Sequence, residues 1–426
     1  MIFIYNLLLP FAFLFFVPGL ILKYRNRGGW KSTFGERFSR FSRERKAELS
    51  EYKGAIWIHS VSVGETVIAL GFIKRYLERY PEQKFVISTT TTTGQELARN
   101  RCPQNTAVIF CPIDFRWMVR RTLNIISPRQ LVIFETELWP NLLCEAAKRK
   151  IPVALVNGRM SDHSSKGYRK GRIFFASVLR RFSVISVQTQ ADRERFLSVA
   201  PDTNVVVSGN MKFDQAPPEH IEDPCLSGYF GEADHTVLLG ASTHPGEEEF
   251  IARVYKSLKS EFASLKLVLI PRHAERGADV AASLEKAGLS HVRRSQFAKS
   301  EKEVDVLLAD TTGEMFKFIN TSDIVIMGKS LAGHDEGHNL IEPALLDKPV
   351  VSGSVLRNFR FIQQVLQEAD ALVSVSSEEE LLAELRKLIS DPDLRRAVGK
   401  RGGDAIRQHR GAMDRTIDLL KQLENN

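Results

Sequence analysis

Short apolar runs alternate with amphipathic helical patterns along nearly the whole chain. In the first half, candidate strands lie at Ala55–Ile58, Phe85–Thr89, Ala107–Phe110, Leu131–Phe134, Val153–Val156, Val184–Val187 and Val205–Ser208. Helical patterns such as Gly94–Arg101 and Asn141–Arg149 separate most of these strands. A strand followed by a helix and another strand is typical of a parallel crossover unit. The repetition therefore predicts an α/β fold with a mostly parallel, doubly wound sheet.

The second half repeats this rhythm. Candidate strands lie at Thr236–Leu239, Leu265–Ile270, Val304–Leu308, Ile324–Met327, Pro349–Ser352 and Ala371–Val375. Candidate helices lie at Gly246–Ser260, Glu314–Asn320, Asn339–Leu346, Phe361–Ala369 and Glu378–Ile389. The pattern from Gly403 to Leu423 predicts one long helix with a polar face. Because 426 residues exceed one typical domain, two facing Rossmann-like domains with a cleft between them are expected.

The predicted limits of the domains follow from changes in composition along the chain. After the anchor described below, residues 23–214 form the first domain. The proline-rich residues 215–228 form a linker, residues 229–402 the second domain and residues 403–426 a closing helix. Hydrophobic residues make up 43% of the chain, which is enough for sizeable cores and unlike a disordered chain. The net charge of +8 suits an anionic partner.

The first 22 residues carry no charged side chain and are mostly apolar. A stretch of this length can just cross a bilayer. Basic residues follow at once, namely Lys23, Arg25, Arg27, Lys31 and Arg37. Positive charge on this flank places the remaining chain in the cytoplasm. The sequence therefore predicts a membrane anchor at residues 1–22, which either spans the membrane once or lies in its interface.

The segment around Glu65 is a candidate site in the first half. A buried strand runs into His59-Ser-Val-Ser-Val-Gly-Glu65, and an apolar helical pattern follows. In open α/β sheets, ligands bind beyond the carboxyl ends of the strands. Glu65 would then face such a crevice. The alternative is that Glu65 only lies at a helix start, where the helix dipole favours an anion.

Other charged residues also follow strand ends. Glu135 and Glu137 come after the fourth candidate strand, and Lys212 and Asp214 after the seventh. Buried carboxylates need partners, so Lys212 or Arg159 is the expected partner of Glu135. Structural ion pairing alone would account for any one of these residues equally well.

Four strand-to-helix turns of the second half favour a nucleotide site. They are Leu239–Gly246, Leu269–His273, Asp310–Glu314 and Gly337–Glu342. Exposed backbone N–H groups in such turns hold phosphates, and Arg272 can pair with phosphate oxygens. Glu342 can accept hydrogen bonds from ribose hydroxyls. His59, His244, His273 and His338 lack the i, i+4 spacing of a metal site and the four cysteines lack CxxC spacing, so no metal is expected.

Together, these motifs resemble the 3-deoxy-D-manno-octulosonic acid (Kdo) transferase family of lipopolysaccharide synthesis. The resemblance covers nearly the whole chain, including the N-terminal anchor. It rests on the segments Gly35-Glu-Arg37, His59–Glu65, Glu135-Thr-Glu-Leu-Trp-Pro-Asn141, Gly209–Asp214, Pro271-Arg-His273 and Gly337–Glu342.

The resemblance implies a GT-B fold and an inverting, metal-independent transfer of Kdo. The donor would be CMP-Kdo and the acceptor the lipid A precursor (lipid IVA), at the cytoplasmic face of the inner membrane. It implies Glu65 as general base, with Glu135 and Lys212 supporting the transition state. The CMP-binding residues would be Pro271, Arg272, Thr312, Gly313, Glu314, Asn339, Leu340, Ile341 and Glu342. No cofactor and no nucleic-acid partner are expected.

The chain departs from this family in the predicted donor loop. Relatives typically have a Gly-Gly-Ser/Thr turn where this chain has Gly328-Lys329-Ser330. They also tend to have a second glycine where Glu336 precedes Gly337. We therefore expect Lys329 to pair with Glu336. Two alternative functions stay open at this point, a GT-B transferase that uses another sugar nucleotide and a catalytically inactive basic protein that binds membrane surfaces.

Overall fold

The computed structural model describes residues 2–25, 35–218, 220–296 and 303–424, and the side chains of residues 16–25 are left aside. Arg27 and Lys31 of the basic run therefore lie outside the described residues. The chain divides into two compact units. Unit 1 comprises Met1–Gln215 and Arg410–Asn426, and unit 2 comprises Ala216–His409.

The sheet of unit 1 consists, within the described residues, of seven parallel strands. They are β1 (Ile56–His59), β2 (Phe85–Thr89), β3 (Thr106–Phe110), β4 (Gln130–Phe134), β5 (Val153–Gly158), β6 (Val184–Val187) and β7 (Val205–Val207). Their order in the sheet is β3-β2-β1-β4-β5-β6-β7. This is the doubly wound order, in which strands on either side of β1 run outward in chain order.

Helices connect these strands and precede them at the N-terminus. Those preceding β1 are α1 (Ile2–Arg25) and α2 (Arg43–Ser50). Those between the strands are α3 (Val63–Arg79), α4 (Thr92–Arg101), α5 (Arg116–Ile126), α6 (Pro140–Lys148), α7 (Asp162–Lys170), α8 (Arg172–Leu179) and α9 (Gln190–Val199). A 3-10 turn, Met211–Asp214, follows β7.

The central strands of unit 1 are buried on both faces. Trp57 of β1 belongs to the apolar core on one side of the sheet, and its neighbours Ile56 and Ile58 belong to the core on the other. Successive side chains of a strand point to opposite faces. A strand covered by helices on both sides therefore reads as a continuous apolar run, which is why the sequence revealed these strands.

Helix α1 contacts the rest of unit 1 through polar side chains. The Tyr5 hydroxyl donates to Asp114 Oδ2 at 2.9 Å, and Asn6 and Asn141 exchange amide hydrogen bonds of 3.0 and 2.7 Å. The Phe13 ring packs against Phe115. Several apolar side chains of α1 are instead at least half exposed, namely Phe3, Ile4, Leu7, Leu8, Phe11, Leu14 and Phe15.

The prediction of a membrane-spanning anchor at residues 1–22 receives no support from the structure. Within the ranges given above, no helix is both long enough and apolar enough to cross a membrane.

Unit 2 contains a second parallel sheet, again with seven strands in the described residues. They are β8 (Thr236–Thr243), β9 (Leu265–Pro271), β10 (His291–Arg293), β11 (Val306–Leu308), β12 (Ile324–Met327), β13 (Val350–Gly353) and β14 (Leu372–Val375). The order is β10-β11-β9-β8-β12-β13-β14. The same doubly wound arrangement therefore occurs twice in the chain.

The α-helices of unit 2 are α10 (Ser227–Phe230), α11 (Glu247–Lys259), α12 (Gly277–Lys286), α13 (Met315–Thr321), α14 (Ile341–Leu345), α15 (Arg360–Glu368), α16 (Glu378–Ser390) and α17 (Pro392–Gln408). A short 3-10 turn, Ala274–Arg276, precedes α12. The apolar faces of α11, α12 and α16 contribute to one core with β8, β9, β11 and β12.

The prediction of one long helix from Gly403 to Leu423 was wrong. Helix α17 ends at Gln408, and a separate helix, α18 (Ala412–Glu424), follows. Gly411 lies between them with φ +93°, a left-handed conformation that interrupts a right-handed helix. Asp214 accepts the N–H of Met413 at 2.5 Å, and Ile417 joins the core of unit 1. The chain thus returns to unit 1 for its last helix.

Candidate active site

Glu65 lies in the first turn of α3, just beyond the carboxyl end of β1. Its carboxylate accepts the Val61 N–H at 2.7 Å and the Ser62 hydroxyl at 2.8 Å. The Ser62 side chain in turn accepts the N–H of Glu65 at 3.3 Å and caps the helix. This geometry agrees with a structural role for Glu65 as a capping residue at the helix N-terminus. It also holds the carboxylate of Glu65, a residue that is 8% exposed, in one orientation.

Burial raises the pKa of Glu65, and the negative charge of Glu135 raises it further. The hydrogen bonds from Val61 and Ser62 oppose this shift because they favour the ionised form. Glu137 is affected more strongly. Burial, then Glu65, then Glu135 raise the pKa of Glu137 to about 7. Unit 1 therefore gathers three carboxylates that act on one another, and two of them have raised pKa values.

Glu135 follows β4 in a left-handed conformation with φ +56°. Its carboxylate lies 3.7 Å from Arg159, which follows β5. This confirms Arg159 as a partner of Glu135. Lys212 sits in the 3-10 turn after β7, and burial lowers its pKa while the charges of Glu135 and Glu65 raise it. The structure thus brings the predicted residues Glu65, Glu135 and Lys212 close enough for their charges to shift one another's pKa values.

Asn157 anchors the turn that carries Lys212, and sequence reasoning missed it. Its side chain is almost fully buried at the end of β5, and its Oδ1 accepts the Met211 N–H at 3.0 Å. The bond joins residues far apart in the chain. An asparagine at the end of an apolar strand was a weak signal, because nothing in the sequence indicated its partner.

The four turns predicted in unit 2 lie at one edge of its sheet. They follow β8, β9, β11 and β12, which are neighbouring parallel strands. The carboxyl ends of parallel strands meet at the same edge, where ligands of doubly wound sheets bind.

Arg272, Asn339 and Glu342 form one group at this edge. The Asn339 amide donates to Glu342 Oε1 at 3.1 Å, and Asn339 Oδ1 accepts the Ile341 N–H at 3.2 Å. Burial raises the pKa of Glu342, whereas the Asn339 bond and the charge of Arg272 lower it. Among the described residues, no carboxylate lies within ion-pairing distance of the Arg272 guanidinium, so this cation is available to a ligand.

Glu314 is engaged by the protein itself. Arg294 donates to both of its carboxylate oxygens, at 2.9 and 3.0 Å, and holds the pKa of Glu314 at about 2. The described contacts of Glu314 do not join it to the Arg272 group. Thr312 and Gly313 lie exposed in the turn just before it. Of the predicted CMP residues, Pro271, Leu340 and Ile341 are buried, so they could contact a ligand mainly through their backbone.

Glu247 fixes the loop after β12, and sequence reasoning gave it no role. It is fully buried at the start of α11. It accepts four backbone N–H groups, from His244 at 2.8 Å, Lys329 at 2.7 Å, Ser330 at 2.9 Å and Leu331 at 2.8 Å. One carboxylate therefore ties the turn after β8 to the loop after β12.

Two imidazoles lie beside this loop. His244 Nε2 and His338 Nε2 are 3.0 Å apart, so one ring donates to the other. Burial, with positive neighbours, lowers the pKa of each to about 4. Both rings are thus neutral at pH 7. Within the described ranges, no three His, Cys, Asp or Glu side chains are grouped to hold a metal.

Comparison with known proteins gives the family. Residues 32–215 match the family model of 3-deoxy-D-manno-octulosonic-acid transferase (kdotransferase). A Haemophilus influenzae 3-deoxy-D-manno-octulosonic acid transferase is 31% identical over 375 residues, which is 87% of this chain and 88% of that one. The chain belongs to the Kdo transferase family. It is therefore a glycosyltransferase.

Solved structures with low sequence identity show the fold of this family member. A glycosyltransferase from Rickettsia africae has a TM-score of 0.58 at 12% identity, with 88% of this chain and 99% of that one covered. A UDP-GlcNAc 2-epimerase from Neisseria meningitidis has a TM-score of 0.59 at 14% identity, with 86% and 100% covered. The fold of this Kdo transferase family member is GT-B, as the family resemblance implied.

Proposed function

We propose that this glycosyltransferase moves Kdo from CMP-Kdo to the lipid A precursor with inversion. Glu65 takes the proton of the acceptor hydroxyl. The hydroxyl oxygen then forms the new bond to the anomeric carbon of Kdo, and the bond from that carbon to the phosphate oxygen breaks. CMP leaves with the electron pair. A single displacement of this kind inverts the anomeric centre.

The observation that carries this proposal is the charge cluster of unit 1. Glu65 is a mostly buried carboxylate with a raised pKa, held in one orientation by two hydrogen bonds. A general base works best when its pKa approaches the operating pH. The charges of Lys212 and Glu135 interact with the charge of Glu65. They support the charge that moves between acceptor, base and sugar in the transition state.

Unit 2 supplies the donor site in this proposal. CMP-Kdo carries one phosphate, and Arg272 can stabilise the charge that develops on it when CMP leaves. Glu342, fixed by Asn339, accepts from the ribose hydroxyls. Thr312, Gly313 and Glu314 contact CMP from the turn after β11, and Pro271, Leu340 and Ile341 do so through their backbone. One phosphate with these donors needs no metal, so chelation by EDTA should leave transfer unchanged.

We also propose that the protein works at the cytoplasmic face of the inner membrane. Helix α1 is attached to the rest of unit 1 by Tyr5 and Asn6 and leaves a row of apolar side chains exposed. Exposed apolar side chains on such a helix favour the membrane interface, and a net charge of +8 favours anionic lipids. This location suits a lipid acceptor.

A panel of sugar nucleotides tests the donor. The protein is incubated with the lipid A precursor and, in turn, CMP-Kdo, a UDP-sugar and a GDP-sugar, and the released nucleotide is measured. Release of CMP that depends on the lipid supports the proposal. Preference for a UDP- or GDP-sugar would establish the alternative donor. Binding of anionic vesicles without any transfer would establish an inactive surface-binding protein.

A further inference from the structure

The loop after β12 carries a lysine in a backbone conformation that suits glycine. Lys329 has φ +59°, which L-residues adopt rarely. Its ammonium lies 2.6 Å from Glu336 Oε2, which confirms the ion pair predicted from the sequence.

The loop backbone is held without the Lys329 side chain. The Lys329 N–H donates to Glu247, and its carbonyl oxygen accepts the Gly337 N–H at 2.6 Å. Further along the loop, the Arg357 guanidinium pairs with Asp335. Because these bonds fix both ends of the loop, the Lys329–Glu336 pair is not needed to close it.

Backbone contacts place Lys329 and Arg272 on neighbouring turns. Glu247 accepts the N–H groups of His244 and Lys329, and the Arg272 N–H donates to the carbonyl oxygen of Thr243, next to His244, at 2.9 Å. Both cations lower the pKa of His338, and Lys329 also lowers that of His244. The nearby Arg276 is already engaged, since it donates to Glu248 at 2.7 Å. With both imidazoles neutral, Arg272 and Lys329 are two cations that an anion bound here would meet, and Glu336 is the anion already paired with Lys329. Lys329 and Glu336 are both partly exposed, so their contact can open.

We propose that Lys329 binds an anionic oxygen of the sugar donor and that Glu336 holds this lysine in the free enzyme. The inference rests on the proposed function, in which the donor is CMP-Kdo. That donor has two anionic groups, the phosphate and the sugar carboxylate. Arg272 pairs with one and Lys329 with the other or with the same group. Donor binding would move the ammonium from Glu336 to the donor.

Two substitutions with opposite expected effects test this inference. Lys329→Gln removes the cation, so the KM for CMP-Kdo should rise about tenfold, the size expected for losing a charge-assisted hydrogen bond. Glu336→Gln removes a competing anion, so the KM should fall about two- to fivefold, as for a partly exposed ion pair. If the pair were only a structural latch, both variants would raise the KM. That result, or an unchanged KM in Lys329→Gln, would overturn the inference.

The inhibition constant of CMP separates the two anionic groups. If Lys329→Gln weakens the binding of CMP as much as the binding of CMP-Kdo, the lysine binds the phosphate. If only the binding of CMP-Kdo is weakened, the lysine binds the sugar carboxylate. Both results support the inference. Lys387→Gln and Glu384→Gln, which break an exposed ion pair on α16, are matched controls and should leave the KM unchanged. Lack of CMP release by the unsubstituted protein would instead refute the proposed function.

Discussion

Glu65 caps a helix and is also the proposed general base, and the substitution Glu65→Gln separates these two roles. Glutamine keeps the shape and one carbonyl oxygen, so the variant should fold and retain most of the cap formed with Val61 and Ser62. It cannot take a proton, so transfer should fall about 10²- to 10⁴-fold, the usual contribution of a general base. The measurements are the rate of CMP release and the thermal unfolding temperature.

A second cap variant serves as the control. Ser377→Ala removes the capping side chain of α16, far along the chain from Glu65, and should cost about 1 kcal/mol of stability. Its transfer rate should stay unchanged. If Glu65→Gln behaved in the same way, losing stability but keeping activity, Glu65 would be a helix cap only.

The raised pKa of Glu65 predicts a pH dependence. The base must be ionised, so kcat/KM falls as the pH falls through the pKa of Glu65. Because burial and Glu135 raise this pKa, the fall should occur at higher pH than for an exposed glutamate, whose pKa is about 4.3. Glu135→Gln removes a negative charge, lowers the pKa of Glu65 and should move the acid limb to lower pH. A limb that stays in place or moves upward in this variant would contradict the cluster described for unit 1.

Among the secondary-structure elements, Glu247 joins the start of α11 to the loop after β12. In Glu247→Gln, one acceptor oxygen becomes an amide donor, so buried N–H groups lose their partner. The expected cost is about 1–3 kcal/mol of unfolding free energy. Hydrogen exchange should become faster at the amides of Lys329, Ser330 and Leu331, and the KM for the donor should rise.

Glu249→Gln is the matched control for this substitution. Glu249 lies in the same first turn of α11, but its carboxylate accepts from the Ser283 hydroxyl at 2.7 Å, away from the loop. Exchange at residues 329–331 should stay slow in this variant. Equal protection of the loop in both variants would show that Glu247 does not fix it.

The strands were predictable because they are buried runs with clear ends. The predicted bounds of β2, β6 and β12 match the structure residue for residue. Strand β10 was missed because His291-Val-Arg293 is only three residues long and mostly polar. The break at Gly411 was missed because the polar helical pattern continues across it, and only the backbone shows that Gly411 is left-handed.

The site was less predictable than the fold. Glu65, Glu135 and Lys212 follow strand ends, so the sequence could place them at one edge of a parallel sheet. The role of Glu247 could not be found, since three of its donors lie 82 to 84 residues further along the chain. The engagement of Glu314 by Arg294 was also hidden, because β10, which precedes that arginine, was not expected.

For the whole molecule, the exposed apolar side chains of α1 and the positive net charge predict binding to anionic membranes. Phe11→Asp places a charge on this face and should weaken binding to phosphatidylglycerol vesicles at least about tenfold, the loss expected from one buried phenylalanine. Co-sedimentation measures the effect. Val355→Asp, at a half-exposed position of unit 2, is the control and should bind normally. Unaltered binding of Phe11→Asp would remove α1 as the membrane contact.

Mass spectrometry of the lipid product is the sharpest test of Kdo transfer to lipid, because it reports donor, acceptor and the number of sugars in one measurement. The protein is incubated with excess CMP-Kdo and the lipid A precursor. We predict that the lipid gains the mass of one or more Kdo residues and that CMP is released in equal number. A lipid of unchanged mass, from protein shown to be folded, would contradict the proposed transfer of Kdo from CMP-Kdo to the lipid A precursor.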